Sequence, residues 1–243
     1  MNFLIALQFL TRIPVTVRGG VSTENMARSM ACFPLVGLLI GSLAAAIHLL
    51  SSFVFSRSVC DLIAIAFLIA VTGNMHGDGL MDTADGFFSG KPRERMLEIM
   101  HDSHVGAHGV MAGVCLVLAK FVLLGQVPGP LKGIALIVVP AFGRWAQVYA
   151  ATLYPYVSRV SGTGSFASYV GGREIALASI FTIGSAVFLL GPLKGIGMAG
   201  SVLAVTALLA LFAGRRIGGI TGDVLGALNE CAEVSGLLFL GII

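Results

Sequence analysis

The stretch that decides the fold is residues 33–55, FPLVGLLIGSLAAAIHLLSSFVF, which contains 23 residues and no Asp, Glu, Lys or Arg. A helix of about 20 mostly apolar residues is long enough to cross the hydrocarbon core of a bilayer. We therefore predict a membrane-spanning helix here.

Six further stretches have similar length and composition. They are residues 59–75, 105–127, 131–154, 175–190, 195–214 and 225–243. Two of them (59–75 and 175–190) are short, and Glu230 and Glu233 weaken the last, so a count of six or eight stays open. The N-terminal stretch lacks the features of a cleaved signal peptide, and we expect an interfacial or re-entrant helix there. The prediction is an all-α polytopic membrane bundle of about seven transmembrane helices, forming a single domain over residues 1–243.

Composition supports a chain that is surrounded by lipid. Of its 243 residues, 56% are hydrophobic and 11% are charged, and the mean hydropathy is +0.94. Soluble domains carry about 25% charged residues, so this chain has too few to cover a water-facing surface. Its 32 glycines are typical of closely packed transmembrane helices. The basic residues are scattered, which argues against a nucleic-acid partner, and the isolated cysteines are interpreted as small core residues.

Lysine and arginine are unequally divided between the two sets of loops. With seven spans, one set contains 10 of them and the other contains 3. The richer set is Arg12, Arg18, Arg28, Lys91, Arg93, Arg95, Arg159, Arg173, Arg215 and Arg216, and the poorer set is Arg57, Lys132 and Lys194. Because cytoplasmic loops are enriched in Lys and Arg, we predict that residues 76–104, 155–174 and 215–223 share the cytoplasmic face.

Acidic residues concentrate in the first of these segments. Residues 76–86 read HGDGLMDTADG, in which Asp78, Asp82 and Asp85 are spaced i, i+4 and i+7. On a helix they share one face within roughly 60°, where three carboxylates repel one another unless a cation binds. Oxygen ligands favour Mg²⁺, with Mn²⁺ as the alternative. We predict a metal site here, with His76, Asp82 or Asp85 as catalytic residues; a solvated acidic helix start is the other interpretation.

A second polar segment follows at residues 101–109, HDSHVGAHG. Asp102 is a candidate to complete the Mg²⁺ shell, and Ser103 is a candidate to contact phosphate. Three histidines share this segment at helical spacing: His101, His104 and His108. That spacing leaves a Zn²⁺ site open, although the neighbouring ligands would be carboxylates, and interfacial hydrogen bonding accounts for each histidine alone.

A glycine-rich turn precedes the last predicted span, in the sequence RRIGGITGDVLGALNE at residues 215–230. Backbone N–H groups ahead of a helix bind anions. Arg215, Thr221, Asp223 and Asn229 are therefore candidates for binding phosphate or substrate, and a simple glycine turn beside cytoplasmic arginines is the alternative.

Three arginines and one loop add further candidates. Arg93 and Arg95 follow the aspartate segment, where they either bind phosphate or only mark the cytoplasmic side. Arg144 lies inside an apolar stretch, and the cost of a charge in the membrane predicts that it is paired. Residues 162–166, GTGSF, are a weaker candidate for substrate contact.

Five stretches together resemble the cobalamin-5′-phosphate synthase family, also called adenosylcobinamide-GDP ribazoletransferases. They are FLTRIPV at 9–15, FPLVGLLIG at 33–41, HGDGLMDTADGFFSG at 76–90, HDSHVGAHGV at 101–110 and GGITGDVLGALNE at 218–230. The resemblance implies transfer of the adenosylcobinamide phosphate group of adenosylcobinamide-GDP to α-ribazole, or to its 5′-phosphate, with release of GMP. This reaction belongs to the last stage of coenzyme B12 nucleotide-loop assembly.

The resemblance also implies a cofactor and a location. A divalent cation would lie across the diphosphate, which suits the metal assignment of Asp78, Asp82, Asp85 and Asp102. The expected location is the bacterial cytoplasmic (inner) membrane, with the lipid bilayer around a multi-pass chain and the active site facing the cytoplasm. A homo-oligomer, or a complex with other late enzymes of the cobalamin pathway, is left open.

Two other functions are compatible with aspartates on a membrane helix. A CDP-alcohol phosphotransferase would carry D-x-x-D-G-x-x-A-R, whereas Asp78 and Asp82 are four residues apart here and the Ala-Arg pair is missing. An ion or metal transporter would carry acidic residues near the middle of several spans, whereas most of those in this chain lie near predicted cytoplasmic ends. Both interpretations are less consistent with the sequence than a phosphotransferase.

Overall fold

A computed structural model describes residues 1–17, 19–157 and 165–242. Within these residues the chain is helical and has no β-strand, apart from one isolated parallel bridge between Tyr156 and Ile220. The helices are α1 (Asn2–Leu10), α2 (Thr23–Ser29), α3 (Phe33–Ser51), α4 (Arg57–Thr72), α5 (Met75–Phe88), α6 (Arg93–Met100), α7 (Ala107–Gln126), α8 (Gly129–Leu153), α9 (Gly172–Leu190), α10 (Pro192–Ile217) and α11 (Gly222–Ile242). Two 3₁₀ turns, Met30–Cys32 and Ser165–Tyr169, complete the described elements.

The predicted membrane bundle is confirmed. Six helices in the described residues are long and apolar enough to cross a membrane, namely α2 with α3 (Thr23–Ser51) and α7 to α11. A seventh is formed if α4 and α5, which meet at an angle of 85°, make one broken span. The α1 helix has 9 residues, so at 1.5 Å per residue it is about 14 Å long and too short to cross.

Helix α8 lies at the centre of the bundle. In its most apolar stretch 83% of the residues are buried, whereas the shares in the corresponding stretches of α7 and α9 are 11% and 22%. Helix α3 packs closely against α8, because a Cβ atom added at Gly37 would lie 2.6 Å from the Cα atom of Ala141. The glycines of FPLVGLLIG therefore allow backbone-to-backbone contact, as small residues do at membrane helix interfaces.

The break between α4 and α5 directs the aspartate-bearing helix into the bundle. Gly73 and Asn74 both have left-handed backbone conformations, with φ angles of 63° and 59°. Arg12 N–H donates to the carbonyl of Val71 at 2.7 Å and ties the N-terminal segment to this break. Helix α5 then packs along α11, where a Cβ atom at Gly79 would lie 2.8 Å from the carbonyl oxygen of Asp223.

The three segments that the charge distribution assigned to one face do meet at one end of the bundle. Arg93 Nε donates to the carbonyl of Ile217 at 2.6 Å, which joins α6 to the end of α10. Arg216 also donates to the carbonyl of Phe87 at the end of α5. The N–H of Val157 donates to the carbonyl of Ile220 at 2.7 Å, which joins the segment after α8 to the turn before α11.

At the opposite end, a buried ion pair joins α3, α4 and α8. Lys132 Nζ lies 2.8 Å and 3.0 Å from the two carboxylate oxygens of Asp61, and His48 Nε2 lies 2.9 Å from one of them. Lys132 was counted as a loop cation, but the structure buries it in the first turns of α8. A buried ammonium group is costly unless it is paired, so the Lys132 side chain requires the carboxylate of Asp61.

A second buried network joins α7, α8 and α11. Lys120 forms ion pairs with Glu230 and, at 2.6 Å, with Glu233, which is also paired with Arg144. The prediction that Arg144 is paired is therefore confirmed, and these four formal charges sum to zero. Glu230 and Glu233 of α11 are held by fixed cations, which is not what a mobile-ion pathway requires.

Candidate active site

Three carboxylates come together where α5 packs against the start of α11. Asp78 is exposed, Asp82 and Asp223 are half-buried, and their charges are close enough to repel one another. None of the three forms an ion pair with a lysine, arginine or histidine of the described residues. We call Asp78, Asp82 and Asp223 the carboxylate cluster.

Asp85 lies on the same helix but is already bound to the backbone of α7. Its carboxylate oxygens accept hydrogen bonds from the N–H groups of Gly106, at 2.7 Å, and Gly109, at 2.8 Å. A Cβ atom at either glycine would overlap this carboxylate, which explains two glycines of the HDSHVGAHG motif. Asp85 thus anchors the positive N-terminal end of α7, and because each of its oxygens keeps a second lone pair, its role in metal binding or catalysis stays a prediction.

Asp102 lies apart from the cluster, on the exposed connection between α6 and α7. Its Oδ1 accepts hydrogen bonds from the His104 backbone N–H at 3.0 Å and from the His104 ring at 2.7 Å. These bonds lower the pKa of the Asp102 carboxyl. Its hydrogen bonds stay within this connection, and among the described residues it belongs to no group of side chains that could hold a metal ion.

The exposed histidines do not form a zinc site in this structure. His101, His104 and His108 are all exposed, and no group of three His, Cys, Asp or Glu side chains among the described residues is arranged to hold a metal ion. The ring of His108 instead lies 6.0 Å from that of Phe88. His101 is close enough to Asp223 for its charge to act on that carboxylate.

His76 occupies a different environment from the other predicted catalytic residues. It is only 3% exposed, and its Nδ1 lies 3.4 Å from Arg144 NH2 in the buried network. Because a guanidinium can only donate, Nδ1 is the acceptor and Nε2 carries the hydrogen in the neutral ring. Nε2 has no hydrogen-bond partner among the described residues, so His76 is arranged as a hydrogen-bond donor.

The residues near the start of α11 that were predicted to bind phosphate or substrate lie at two different depths in the bundle. Thr221 is buried, and its hydroxyl accepts the N–H of Val224 at 3.2 Å, so it caps the helix beside Asp223. Asn229 lies two turns deeper, fully buried, with Nδ2 at 3.2 Å from Glu233 and 3.3 Å from Glu230. It belongs to the buried ion network and lies below the helix start that was predicted to bind phosphate.

Tyr156 is a neighbour of the cluster that the sequence did not indicate. Burial, together with the charge of Asp223, raises the pKa of its hydroxyl. Its backbone bridge to Ile220 holds it against the turn before α11, a placement that no local motif predicts.

The other residues predicted to bind phosphate, three arginines and Ser103, have different surroundings. Arg93 is used in the contact with Ile217, and Arg95 forms an exposed pair with Glu98 at 2.7 Å. Arg215 and Ser103 are exposed and make no hydrogen bond or ion pair among the described residues. Arg18, Arg159 and the 162–164 part of GTGSF lie outside the described residues.

A cavity of about 200 Å³ opens beside the carboxylate cluster. Its polar wall is formed by His76, Asp78, Gln147 and Asp223. The remaining wall is largely apolar and comes from α1, the 3₁₀ turns Met30–Cys32 and Ser165–Tyr169, α3, and the facing residues of α5 and α11. The cavity therefore brings together a hydrogen-bond donor, unpaired carboxylates and an apolar surface.

The cluster offers the ligand type that a divalent cation prefers, although its three side chains are not arranged around a common metal position in this structure. Its three side chains offer carboxylate oxygens only, and nearby positive groups do not pair with them. Mg²⁺ is commonly held by one or two carboxylates, with waters and substrate phosphates completing its shell. An incomplete set of protein ligands is therefore what a Mg²⁺ site shared with a phosphate substrate would contain.

Comparison with known proteins identifies the family. A model of the cobalamin-5-phosphate synthase family matches residues 2–241. The chain belongs to this family. It is 39% identical over 239 residues to the adenosylcobinamide-GDP ribazoletransferase of Desulforamulus reducens, covering 98% of this chain and 95% of that protein. No solved structure matches the chain.

Other relatives with the same name give the same result. The protein of Thermoanaerobacter pseudethanolicus is 35% identical over 238 residues, covering 98% of this chain and 95% of its own. That of Clostridium acetobutylicum is 36% identical over 232 residues, covering 94% and 91%. The resemblance predicted from the motifs is thus confirmed, and this cobalamin-5-phosphate synthase family member is a multi-pass membrane transferase of cobalamin synthesis.

Proposed function

We propose that this chain transfers the adenosylcobinamide phosphate group of adenosylcobinamide-GDP to α-ribazole, or to α-ribazole 5′-phosphate, and releases GMP. The observation that carries the proposal is the carboxylate cluster, unpaired and set at the edge of a cavity with an apolar wall. A phosphotransferase with a nucleoside acceptor needs both features, one for the diphosphate and one for the base.

The transfer is a substitution at phosphorus. A ribose hydroxyl oxygen forms the new P–O bond to the phosphoryl group that bears cobinamide, and the bond from this phosphorus to the bridging oxygen breaks. GMP leaves with that oxygen, and the hydroxyl proton passes to a carboxylate. Since Nε2 of His76 already carries a hydrogen in the tautomer that Arg144 favours, we assign the base to Asp78 or Asp82.

In this proposal the carboxylate cluster and the exposed cation Arg215 have complementary tasks. Asp78, Asp82 and Asp223 would hold Mg²⁺ or Mn²⁺ after their side chains move closer together, since the structure does not arrange them around a metal position; the cation when bound would supply positive charge to the diphosphate oxygens. Arg215 is exposed at the same end of the bundle, where it would attract the diphosphate. The helix start at Gly222, capped by Thr221, adds backbone N–H groups that favour an anion.

The reaction is tested with purified chain in liposomes, supplied with adenosylcobinamide-GDP and α-ribazole. GMP and the cobalamin product are measured with Mg²⁺ and after chelation with EDTA. We expect equal amounts of both products with Mg²⁺ and a loss of turnover with EDTA that added Mg²⁺ reverses. A folded protein that releases no GMP would refute the proposed substrates, and full activity in EDTA would refute the metal.

The role of the cluster is tested by Asp82→Asn, which keeps the shape and removes the charge. Loss of a proton acceptor or metal ligand predicts a fall in turnover of about 100-fold or more. Glu24→Gln is a matched control because Glu24 is exposed and paired only with Arg28. Equal turnover in the two variants would remove Asp82 from the site.

The proposal includes an active site on the cytoplasmic side of the bacterial inner membrane, as the excess of Lys and Arg at this end favours. Ser103→Cys and Ser52→Cys place exposed thiols at opposite ends of the bundle. In a background with Cys115→Ser, a membrane-impermeant maleimide added to intact spheroplasts should label position 52 and not position 103. Labelling of position 103 alone would reverse the orientation.

A further inference from the structure

The apolar wall of the cavity beside the carboxylate cluster includes three aromatic rings, together with Leu10, Met30, Met75 and Leu225. Phe9, Phe33 and Phe166 come from α1, α3 and the 3₁₀ turn Ser165–Tyr169. Phe9 stacks on Phe33, with ring centroids 5.9 Å apart, and meets Phe166 edge-on at 5.4 Å. Three distant parts of the sequence thus meet at the cavity, where Phe9 is half-buried and Phe33 and Phe166 are 2% and 6% exposed.

Two buried polar side chains line the same cavity, and one of them has a buried atom without a hydrogen-bond partner among the described residues. His76 is 3% exposed, and its Nε2 has no partner among the described residues. Gln147 is 4% exposed and lines the cavity, and its amide makes no hydrogen bond within the part of the chain that the structure describes. An unsatisfied buried N–H is costly, so Nε2 of His76 is expected to bind a polar atom of a ligand, and the amide of Gln147 is available for a second contact.

The size of the cavity selects the part of the substrates that fits. A cavity of about 150 Å³ holds benzene in a protein interior, so the roughly 200 Å³ here suits a bicyclic aromatic base. A corrin ring is far larger and is excluded. A lipid acyl chain would fill the aromatic wall but would leave His76 and Gln147 without partners.

From these observations we infer that the cavity binds the aromatic base of α-ribazole and sets the specificity for this substrate; the inference rests on the proposed function. The benzimidazole ring packs against Phe9, Phe33 and Phe166. Its one ring nitrogen with a free lone pair accepts the Nε2 hydrogen of His76. Gln147 binds a polar atom of the riboside, and the ribose is directed towards Asp78 and Asp223 on the polar wall.

This arrangement delivers the attacking hydroxyl to the carboxylate cluster. The base and the ribose of a nucleoside are joined by one bond, so a base held on the aromatic wall keeps the ribose hydroxyls near the opposite wall. Fixing the acceptor in this way lowers the entropy cost of bringing it to the phosphorus. His76 is thus a positioning residue, and its ring is oriented by Arg144.

The inference is tested by equilibrium binding of radiolabelled α-ribazole to the full-length protein in detergent, without the corrinoid substrate. Loss of one stacking ring in Phe166→Ala should weaken binding roughly 5- to 100-fold. Phe166→Leu keeps most of the volume and removes the ring, so it should weaken binding in the same direction even if the alanine variant does not fold. Phe188→Ala is the matched control, because Phe188 is 86% exposed on α9.

An analogue of the substrate tests His76 without any substitution. The riboside of an indole carries C–H where the benzimidazole has its lone-pair nitrogen, and it should bind wild-type protein roughly 5-fold more weakly for one lost hydrogen bond. Equal binding of the two ribosides would remove His76 from base recognition.

Steady-state kinetics separate this inference from the reaction itself. Phe166→Leu should raise the KM for α-ribazole and leave the KM for adenosylcobinamide-GDP unchanged. If wild-type protein releases GMP but substitution of Phe166 leaves the affinity for α-ribazole unchanged, the cavity assignment is overturned and the proposed reaction is kept. Binding of α-ribazole that depends on Phe166, without GMP release, would support the cavity and refute the reaction.

Discussion

Replacing Glu233 by glutamine should destabilise the bundle more than any exposed substitution. Glu233 is 5% exposed and accepts from Lys120 at 2.6 Å, from Arg144 and from Asn229 at 3.2 Å. The amide keeps the shape of the side chain but leaves two buried cations with one carboxylate, Glu230.

The magnitude follows from the uncompensated charge. Breaking a buried ion pair by removing one partner costs about 3–5 kcal/mol. For a chain of this size, each 1 kcal/mol shifts the melting temperature by about 2–4 °C, so Glu233→Gln should lower it by roughly 6–20 °C. Glu24→Gln removes an exposed pair with Arg28, which contributes about 0–1 kcal/mol, and should change it little.

The assay is thermal unfolding in detergent, followed by size-exclusion chromatography of the protein that remains folded. The double variant Glu233→Gln with Lys120→Met restores a balanced charge between Arg144 and Glu230, and should lose less stability than the two single variants added together. An unchanged melting temperature for Glu233→Gln, or additive losses in the double variant, would refute the network as an electrostatic unit.

Three further outcomes are expected. Asp85→Asn replaces one of two amide-accepting oxygens with a donor, and should cost about 1–3 kcal/mol in thermal unfolding; an unaltered melting temperature would contradict the anchoring of α7. Gly41→Ala puts a Cβ atom against the backbone of α8 and should cost about 1–3 kcal/mol, whereas Gly200→Ala, with open space around it, should be neutral or slightly stabilising. The pKa of Tyr156 is raised in the folded state, so its contribution to stability is present below about pH 10, the ordinary tyrosine value, and is lost as pH rises through the folded value. Above about pH 10, the melting temperature should therefore fall less steeply in Tyr156→Phe than in the wild-type protein. Identical slopes in the two proteins would contradict this.

Much of the fold could be predicted because it depends on composition along the chain. Lipid leaves few options other than helices with internally satisfied backbones, so apolar length alone located α3, α7, α8 and the later spans. The excess of Lys and Arg correctly grouped the three polar segments that meet at one end of the bundle. The short stretch at 59–75 became α4, and the structure added the turn at Gly73 and Asn74 that makes α5 a separate helix.

Part of the candidate site could also be predicted, because helical spacing is a local property. Asp78 and Asp82 share the face that their four-residue separation indicates. The same spacing included Asp85, but the structure gives that carboxylate to the amides of α7. Hydrogen-bond partners that lie 21 or more residues away cannot be seen in a local pattern.

The sequence by itself determined the fold class, the family and the segments that hold the chemistry, because length, hydropathy and motif are properties of the chain read in order. Only the tertiary structure decided which groups meet: Asp223 joins Asp78 and Asp82, while Asn229 is buried with Glu233. It also decided that Phe9, Phe33 and Phe166 form one wall. Contacts between distant segments depend on how helices pack, and packing is fixed by the whole bundle rather than by any one stretch.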